Sequence, residues 1–266
     1  MALETPAKTE LVRDLLGRPL ASLRVSVIDR CDLRCQYCMP EEHYTWLPSK
    51  DILNASEIER VVDAFCQVGV RSVRLTGGEP LLRATLPALV ARLAALPLVE
   101  DLAMTTNATR LARWAEPLRV AGLQRITVSL DSLDPTRFAA LTRRSTHAKA
   151  LEGIRAAAAT GFDALKLNVV VMRDFNDDEL VDLLEFGREV GAEVRFIEYM
   201  DVGGATQWSM QKVVSQAEIL ARLTAHYGPI ETEAGRGSAP AARFRLSDGT
   251  RFGIVASVSE PFCGDL

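Results

Sequence analysis

Short stretches in which polar and apolar residues alternate recur along the chain, and longer amphipathic stretches separate them. Six short stretches predict β-strands, at residues 23–29, 72–76, 101–107, 125–131, 164–172 and 193–200. Helical patterns lie between successive strands, and Gly69, Gly122 and Gly161 mark helix ends. Strands separated by helices predict right-handed βαβ units and a parallel sheet. Six such units predict an α/β fold, a partial (β/α)6 barrel of the TIM type.

The pattern divides the chain into three parts. Residues 1–22 are polar and mixed, and we expect them to wrap the barrel formed by residues 23–200. Residues 201–266 form a small C-terminal extension, in which the sequence predicts a helix near 215–227 and a hairpin that turns at Asp248-Gly249. Within the barrel, Ser56 and Glu59 are predicted to cap the first helix, and Asn176 and Glu179 a later one.

The predicted strands are unusual for a parallel sheet, because such strands are normally continuous apolar runs. In the first strand Leu23 and Val25 alternate with Arg24 and Ser26, and the next four strands alternate in the same way. If the apolar residues face the helices, the polar residues must line an interior that holds water and a ligand.

Three cations share this polar face. Arg24, Arg74 and Lys166 would point into one cavity, where buried cations need an anion beside them. We therefore expect a phosphorylated small molecule as the ligand. The alternative is that each cation reaches the surface or pairs with an internal carboxylate such as Glu198.

Composition narrows the classes of function. The chain has 266 residues, of which 48% are hydrophobic and 25% charged, and its formal net charge is −4. This mildly acidic balance argues against general nucleic-acid binding. The sequence has no apolar run of the roughly 18 residues that a membrane helix needs, and no signal-peptide core, so we expect a cytoplasmic protein.

Three of the five cysteines follow the first predicted strand. Cys31, Cys35 and Cys38 have the spacing C-x3-C-x2-C, which by chance would be improbable. Zinc would need a fourth ligand or a bound water, whereas an iron–sulfur cube held by three thiolates keeps one iron open. Incidental cysteines are the alternative. Cys66 lies within the first predicted helix and is expected to be a small buried residue.

A second loop, Gly77-Gly78-Glu79-Pro80, follows the second predicted strand. Two glycines at a strand end let the backbone approach a ligand closely, although a bare turn would also use them. The two loops together resemble the radical S-adenosylmethionine (SAM) superfamily, in which an aromatic residue, here Tyr37, precedes the last cysteine.

Further segments resemble one family of that superfamily, the GTP 3′,8-cyclases (molybdenum cofactor biosynthesis protein A). The resemblance runs from about Arg24 to Cys263. It includes Met104-Thr-Thr-Asn107, Val128-Ser-Leu-Asp-Ser132, Lys166-Leu-Asn168 and Arg195-Phe-Ile-Glu-Tyr-Met200. It implies an enzyme, a lyase, that makes (8S)-3′,8-cyclo-7,8-dihydroguanosine 5′-triphosphate from GTP in the first step of molybdenum cofactor biosynthesis.

The resemblance also implies the ligands of each group. A [4Fe-4S] cluster would bind SAM, and an electron from a low-potential donor would split SAM into a 5′-deoxyadenosyl radical. That radical would abstract the 3′ hydrogen of GTP. By resemblance, the cluster ligands are Cys31, Cys35 and Cys38, the SAM contacts are Tyr37, Gly78, Ser129 and Met200, and the GTP contacts are Arg24, Arg74, Thr105 and Lys166.

The last residues depart from the family pattern. The family holds a second [4Fe-4S] cluster on three cysteines, of which Cys263 matches the first and Leu266 stands at the second. The ligand set is thus incomplete, a free thiol is the favoured interpretation of Cys263, and we expect a truncated form or a fragment. Two alternatives to cyclisation stay open: a peptide-modifying radical enzyme, or a non-catalytic iron–sulfur or nucleotide-binding fragment. The oligomeric state is open too, with a homodimer among the alternatives.

Overall fold

A computed structural model describes residues 12–41, 43–202, 208–233 and 239–260 of the chain. Six parallel strands lie side by side in chain order, each hydrogen-bonded to the next: β1 Ser22–Ser26, β2 Ser72–Thr76, β3 Asp101–Thr106, β4 Arg125–Ser129, β5 Ala164–Val171 and β6 Glu193–Glu198. Helices fill the connections: α1 Ala55–Gln67, α2 Leu86–Ala94, α3 Leu111–Val120, α4 Pro135–Thr142, α5 His147–Thr160 and α6 Leu180–Glu189. The predicted parallel α/β architecture is confirmed.

Local hydrogen bonds explain where the helices begin, and they correct two predictions. The cap of α1 is Asn54, whose side chain accepts from the amides of Ser56 and Glu57, while Glu57 accepts from the Asn54 amide. The predicted Ser56–Glu59 box is wrong, because the extended residue that precedes the helix is Asn54. Asn176 does not cap α6, since its side chain joins the backbone of Asp131 to β5 instead.

Among the described residues, no helix combines the length and apolarity that crossing a membrane requires.

The apolar residues of the strands form the core against the helices. Val73, Leu75, Met104, Ile126 and Leu167 are fully buried, as the alternation predicts. The polar residues between them lie on the opposite face of the sheet, which is the face that a partial barrel curves around. The core therefore lies on one side of the sheet and leaves the other available for a ligand.

The C-terminal extension continues the sheet. Helix α7 (Gln216–Tyr227) is followed by β7 (Glu231–Glu233), β8 (Ala242–Arg245) and β9 (Arg251–Val255). The predicted hairpin at Asp248-Gly249 is confirmed as the β8–β9 pair. Its integration into the sheet was not predicted: β9 pairs in parallel with β6, and the complete order is β1-β2-β3-β4-β5-β6-β9-β8-β7.

Aromatic packing and one buried carboxylate attach the extension to the barrel. Phe252 stacks on Phe244 with ring centroids 5.4 Å apart and meets Phe196 of β6 edge-on at 6.3 Å. Glu198, at the end of β6, is completely buried and accepts four hydrogen bonds of 2.6–2.8 Å from Gln216, Val258 and Ser259. Glu198 therefore fixes the segment that follows β9, and does not pair with the cations of the opposite sheet face.

We predict that Glu198→Gln lowers the free energy of unfolding by about 1–3 kcal/mol, because its amide group would face buried donors that then lose an acceptor. Chemical denaturation measures the loss, with Glu116→Gln on the exposed side of α3 as the control. Hydrogen exchange should also accelerate at Val258 and Ser259. Equal stability of the two variants would contradict the role assigned to Glu198.

Candidate functional site

The cysteine loop lies at the carboxyl end of β1. The amides of Cys38 and Met39 both donate to the carbonyl oxygen of Cys35, at 3.0 and 2.8 Å, and close a turn that contains Cys35 and Cys38. Cys31 and Cys35 are partly buried, Cys38 is exposed, and none of the three is in a disulfide. The loop thus presents three free thiols at one edge of the sheet.

Burial and neighbouring groups raise the pKa of the thiols in this loop. Burial, together with the neighbouring Glu79, Asp32 and Cys38, raises the pKa of Cys31 to about 11 against one backbone hydrogen bond. Burial also raises the pKa of Cys35, to which Asp131, Cys31 and Cys38 add. Three neighbouring thiols that resist ionisation together suit a cationic centre, because metal binding stabilises the thiolate form.

The donor set of three free thiols has the chemistry that an iron–sulfur cluster needs. Among the described residues, no three Cys, His, Asp or Glu side chains are grouped closely enough to hold a single metal ion. Thiolates around an iron–sulfur cube are spread, since each binds a different iron. Cys66, by contrast, is fully buried in the apolar face of α1 and lies within the hydrophobic core.

Side chains that follow β3 hold one side of the cysteine loop. Asp32 accepts hydrogen bonds from Asn107 Nδ2 at 2.8 Å, Thr109 Oγ1 at 3.0 Å and Arg110 Nε at 3.1 Å. Asn107 Nδ2 also lies 3.9 Å from Cys31 Sγ, within reach of a weak hydrogen bond to sulfur. The loop is thus positioned by the end of a neighbouring strand as well as by its own turn.

Contacts from α4 and β5 hold the other side. The amides of Arg34 and Gln36 donate to carbonyl oxygens at the end of α4. Tyr37 donates its hydroxyl to Asp131 Oδ2 at 2.7 Å, and Asp131 Oδ1 accepts from the amide of Val170 at 2.8 Å. Burial raises the pKa of Asp131 to about 6, although these hydrogen bonds oppose the shift. Tyr37 is thus joined to β5 through one buried carboxylate.

The glycine loop packs against the cysteine loop. The amide of Gly78 donates to the Ile28 carbonyl at 2.8 Å, and that of Glu79 to the Arg30 carbonyl at 2.7 Å. A Cβ atom added to Gly78 would overlap the backbone of Arg30, and one added to Gly77, whose φ is +149°, would overlap Ile28. The glycines are therefore needed because two backbones touch here. The sequence pattern had explained them by the close approach of a ligand.

The four residues with a predicted SAM role lie at the same edge of the sheet. Tyr37 follows β1, Gly78 follows β2, Ser129 is the last residue of β4 and Met200 follows β6. Ser129 is in register with Asn168, whose Oδ1 is buried without a hydrogen-bond partner among the described residues. Because the carboxyl ends of parallel strands meet at one edge, this edge could hold SAM beside the thiols.

The predicted GTP contacts share the polar face of the sheet. Arg24 is in register with Arg74, and Thr105 is in register with Thr127, which in turn pairs with Lys166. Arg74 Nη1 donates to Thr127 Oγ1 at 3.1 Å and to Thr105 Oγ1 at 3.4 Å, and lies within 4 Å of no carboxylate among the described residues. Lys166 Nζ lies 3.5 Å from Glu193.

Two further cations, Arg125 and Arg195, lie on this face and were missed by the sequence reasoning. Arg125 forms an ion pair with Asp101, and Arg195 Nε binds Glu193 at 2.8 Å. Both could have been found by extending the same alternation by one residue in β4 and by applying it to β6. Carboxylates therefore offset part of the positive charge on this face.

The cations of the polar face are close enough to act on one another. Burial, together with Arg125, Arg24 and Arg195, lowers the pKa of Arg74 to about 10. Arg195 is four strands away, and a flat sheet would separate those strands by roughly 19 Å. Their interaction agrees with a partial barrel whose polar side is concave.

Comparison with known proteins agrees with the radical SAM chemistry predicted for the cysteine loop. Residues 25–187 match the radical SAM superfamily, and residues 192–265 match the family described as Molybdenum Cofactor Synthesis C. The GTP 3′,8-cyclase 3 of Mycobacterium bovis is 57% identical over 256 residues, which are 95% of this chain and 68% of that protein. The GTP 3′,8-cyclase of Acidothermus cellulolyticus is 51% identical over 97% of this chain and 73% of its own length.

The chain belongs to the GTP 3′,8-cyclase family. The likeness to solved structures concerns the fold alone: SuiB of Streptococcus suis bound to S-adenosylmethionine superposes with a TM-score of 0.63 at 22% identity, over 77% of this chain and 46% of SuiB. Membership in this family makes the cysteine loop a radical SAM loop. Cys263, the predicted ligand of a second cluster, lies outside the described residues.

We predict that anaerobically reconstituted protein loses its iron when Cys31, Cys35 or Cys38 is replaced by Ala, because each thiolate binds one iron of the cluster. Cys66→Ala is the matched control and should keep its iron, since its thiol is packed inside the core. Iron analysis and electron paramagnetic resonance of the reduced proteins measure the effect. Iron loss from the Cys66 variant, or retention in the other three, would contradict the assignment.

Proposed function

We propose that the chain is a GTP 3′,8-cyclase, which converts GTP to (8S)-3′,8-cyclo-7,8-dihydroguanosine 5′-triphosphate at the start of molybdenum cofactor biosynthesis. The observation that carries the proposal is the position of Arg74. Its partly buried guanidinium has two hydroxyl partners and no carboxylate partner among the described residues, on the strand that pairs with β1, which leads into the radical SAM loop. An anion with several oxygens would supply the acceptors that this cation lacks.

The proposed roles follow the two regions of the site. When held by Cys31, Cys35 and Cys38, a [4Fe-4S] cluster supplies the electron that cleaves SAM. The chain's own residues then bind and orient the reactants. We assign SAM to Tyr37, Gly78, Ser129 and Met200 at the sheet edge, and GTP to Arg24, Arg74, Thr105 and Lys166 on the concave face.

The strand geometry supports this separation of roles. The thiols lie beyond the carboxyl end of β1. Arg24 and Arg74 lie at the middle of β1 and β2, and are therefore farther from that end of the sheet. A nucleotide with its phosphates among the cations would extend toward the thiol edge. Its ribose would then be the part nearest to the radical source, as abstraction of the 3′ hydrogen requires.

The remaining partners are part of the proposal. A low-potential electron donor is required because the cluster must be reduced before each cleavage. A cytoplasmic setting suits free thiols that bind iron, and a homodimer is compatible with the fold. We include neither nucleic acid nor a membrane among the partners. Cys263 matches one ligand of the family's second cluster, and the incomplete ligand set stays a prediction.

The alternative of peptide modification is less well supported. Curated relatives at 46–57% identity carry the name GTP 3′,8-cyclase. A peptide substrate would also leave the cationic face without the acceptors that phosphates provide. A non-catalytic nucleotide-binding fragment differs from the proposed enzyme in one measurable respect, since it would not release 5′-deoxyadenosine from SAM.

We predict that Arg74→Ala and Lys166→Ala each weaken GTP binding by about 1.5–3 kcal/mol, the free energy of a hydrogen bond to a charged group. SAM affinity should change little, because its proposed contacts are other residues. Isothermal titration with each ligand measures both, and Arg92→Ala on the outer helices is the control. If GTP and SAM binding weaken equally, the cations support the fold and do not bind the substrate.

The charge of Lys166 should make GTP binding depend on pH. Burial, with Arg195, Arg125 and Arg243, lowers the pKa of Lys166 to about 8 against the attraction of Glu193. The charged form is the one that binds phosphate, so GTP affinity should fall as the pH rises through about 8. Lys166→Arg should lose this dependence, because arginine stays charged. The GTP affinity of the unaltered protein is measured at constant ionic strength between pH 7 and 9, which is about a unit on each side of the pKa. An affinity that does not change over this range would contradict the role of Lys166.

A further inference from the structure

The hairpin of the C-terminal extension carries the cationic face beyond β6. In β9, Gly253 is in register with Arg195 of β6 on one side and with Arg243 of β8 on the other. The alternating residues Phe244 and Phe252 are buried among the core aromatics. Arg243 therefore lies on the concave side of the sheet, in the same row as Arg195.

Gly253 keeps the space between these two arginines open. A Cβ atom at this position would lie 3.4 Å from Cγ of Arg195 and 3.2 Å from Cβ of Ala241. Because Gly253 has no side chain, the stem of Arg195 lies over its backbone. Nothing on β9 projects between Arg195 and Arg243, so both guanidinium groups can approach one ligand.

Arg243 differs from the other arginines of the hairpin. Arg245 binds Glu231 at 2.8 Å, and Arg251 binds Glu233 at 2.8 Å. Glu233 is also the register partner of Arg243, yet among the described residues no carboxylate lies within 4 Å of Arg243. The positive charge of Arg243 is exposed to solvent and is the uncompensated one of the three.

Arg243 lies close enough to the residues of the polar face to act on them electrostatically. Burial, Arg195, Arg125 and Arg243 all lower the pKa of Lys166, and Arg243 joins Arg195 and Lys166 in lowering the pKa of Glu193 against the effect of burial. In a flat sheet the strands of Lys166 and Arg243 would be roughly 14 Å apart, so their long side chains extend toward each other or the sheet curves between them.

We propose that Arg243 is a further substrate-binding residue, which contacts the distal phosphates of the nucleotide together with Arg195 and Lys166. This inference rests on the proposed function, since it adds a contact to the same nucleotide site. It makes the extension a direct part of that site, where the hairpin selects nucleotides that carry more than one phosphate.

The test compares Arg243→Gln with the matched variant Arg251→Gln, whose guanidinium is already paired with Glu233. Binding of GTP and GMP to each holoprotein is measured anaerobically by titration. We expect Arg243→Gln to weaken GTP binding about ten-fold, as the loss of a charge-assisted contact would. GMP binding should stay within about two-fold, because GMP lacks the distal phosphates. Arg251→Gln should leave both unchanged, and Arg243→Lys should recover part of the GTP affinity.

Other outcomes distinguish a failure of this inference from a failure of the proposed function on which it rests. If Arg243→Gln leaves GTP binding unchanged while Arg74→Ala weakens it, the role of Arg243 is overturned and the nucleotide site stands. Equal weakening of GTP and GMP would also overturn the role, since Arg243 would then not distinguish the distal phosphates. If neither Arg74→Ala nor Lys166→Ala weakens GTP binding, the proposed function itself fails.

Discussion

Mutual repulsion among the cations of the concave face is the constraint on which the site depends. Arg24, Arg74, Arg125, Lys166 and Arg195 come from five different strands and face one interior. Asp101 and Glu193 compensate part of this charge, and burial, together with the remaining charge, lowers the pKa of Arg74 and of Lys166. A fold selected for stability alone would use apolar residues here. Binding of a polyanion would relieve this repulsion, which is why we propose that this face binds the phosphates of the substrate.

The cysteine loop meets a different requirement, since it must hold three thiols in place without regular secondary structure. Residues after β2, β3 and β4 supply this support, since Glu79 and Asn107 donate hydrogen bonds to the loop and Asp131 accepts one from Tyr37. The loop therefore rests on the ends of several strands. A shift in the curvature of the sheet would move these supports relative to each other. The position of the thiols is therefore coupled to the shape of the concave face.

Much of this arrangement could be predicted from the sequence, because the pattern that carries it is local. The period-two alternation located Arg24, Arg74 and Lys166 on one face, and the spacing of the cysteines identified the loop chemistry. The insertion of β9 beside β6 could not be predicted, since strand pairing joins residues that are nearly sixty positions apart along the chain. The tight packing of Gly78 on Arg30 was missed for a related reason: a sequence shows that a glycine is present but not which backbone lies against it.

The order of the strands has a consequence for folding. β9 is the last strand among the described residues, yet it lies between β6 and β8. Until β9 is synthesised, β6 is an exposed edge strand and Phe196 is uncovered. The carboxylate of Glu198 then also lacks the amide donors of Val258 and Ser259. An unpaired hydrophobic edge of this kind favours association between chains. During synthesis the barrel thus remains vulnerable to aggregation until the hairpin arrives to cover that edge.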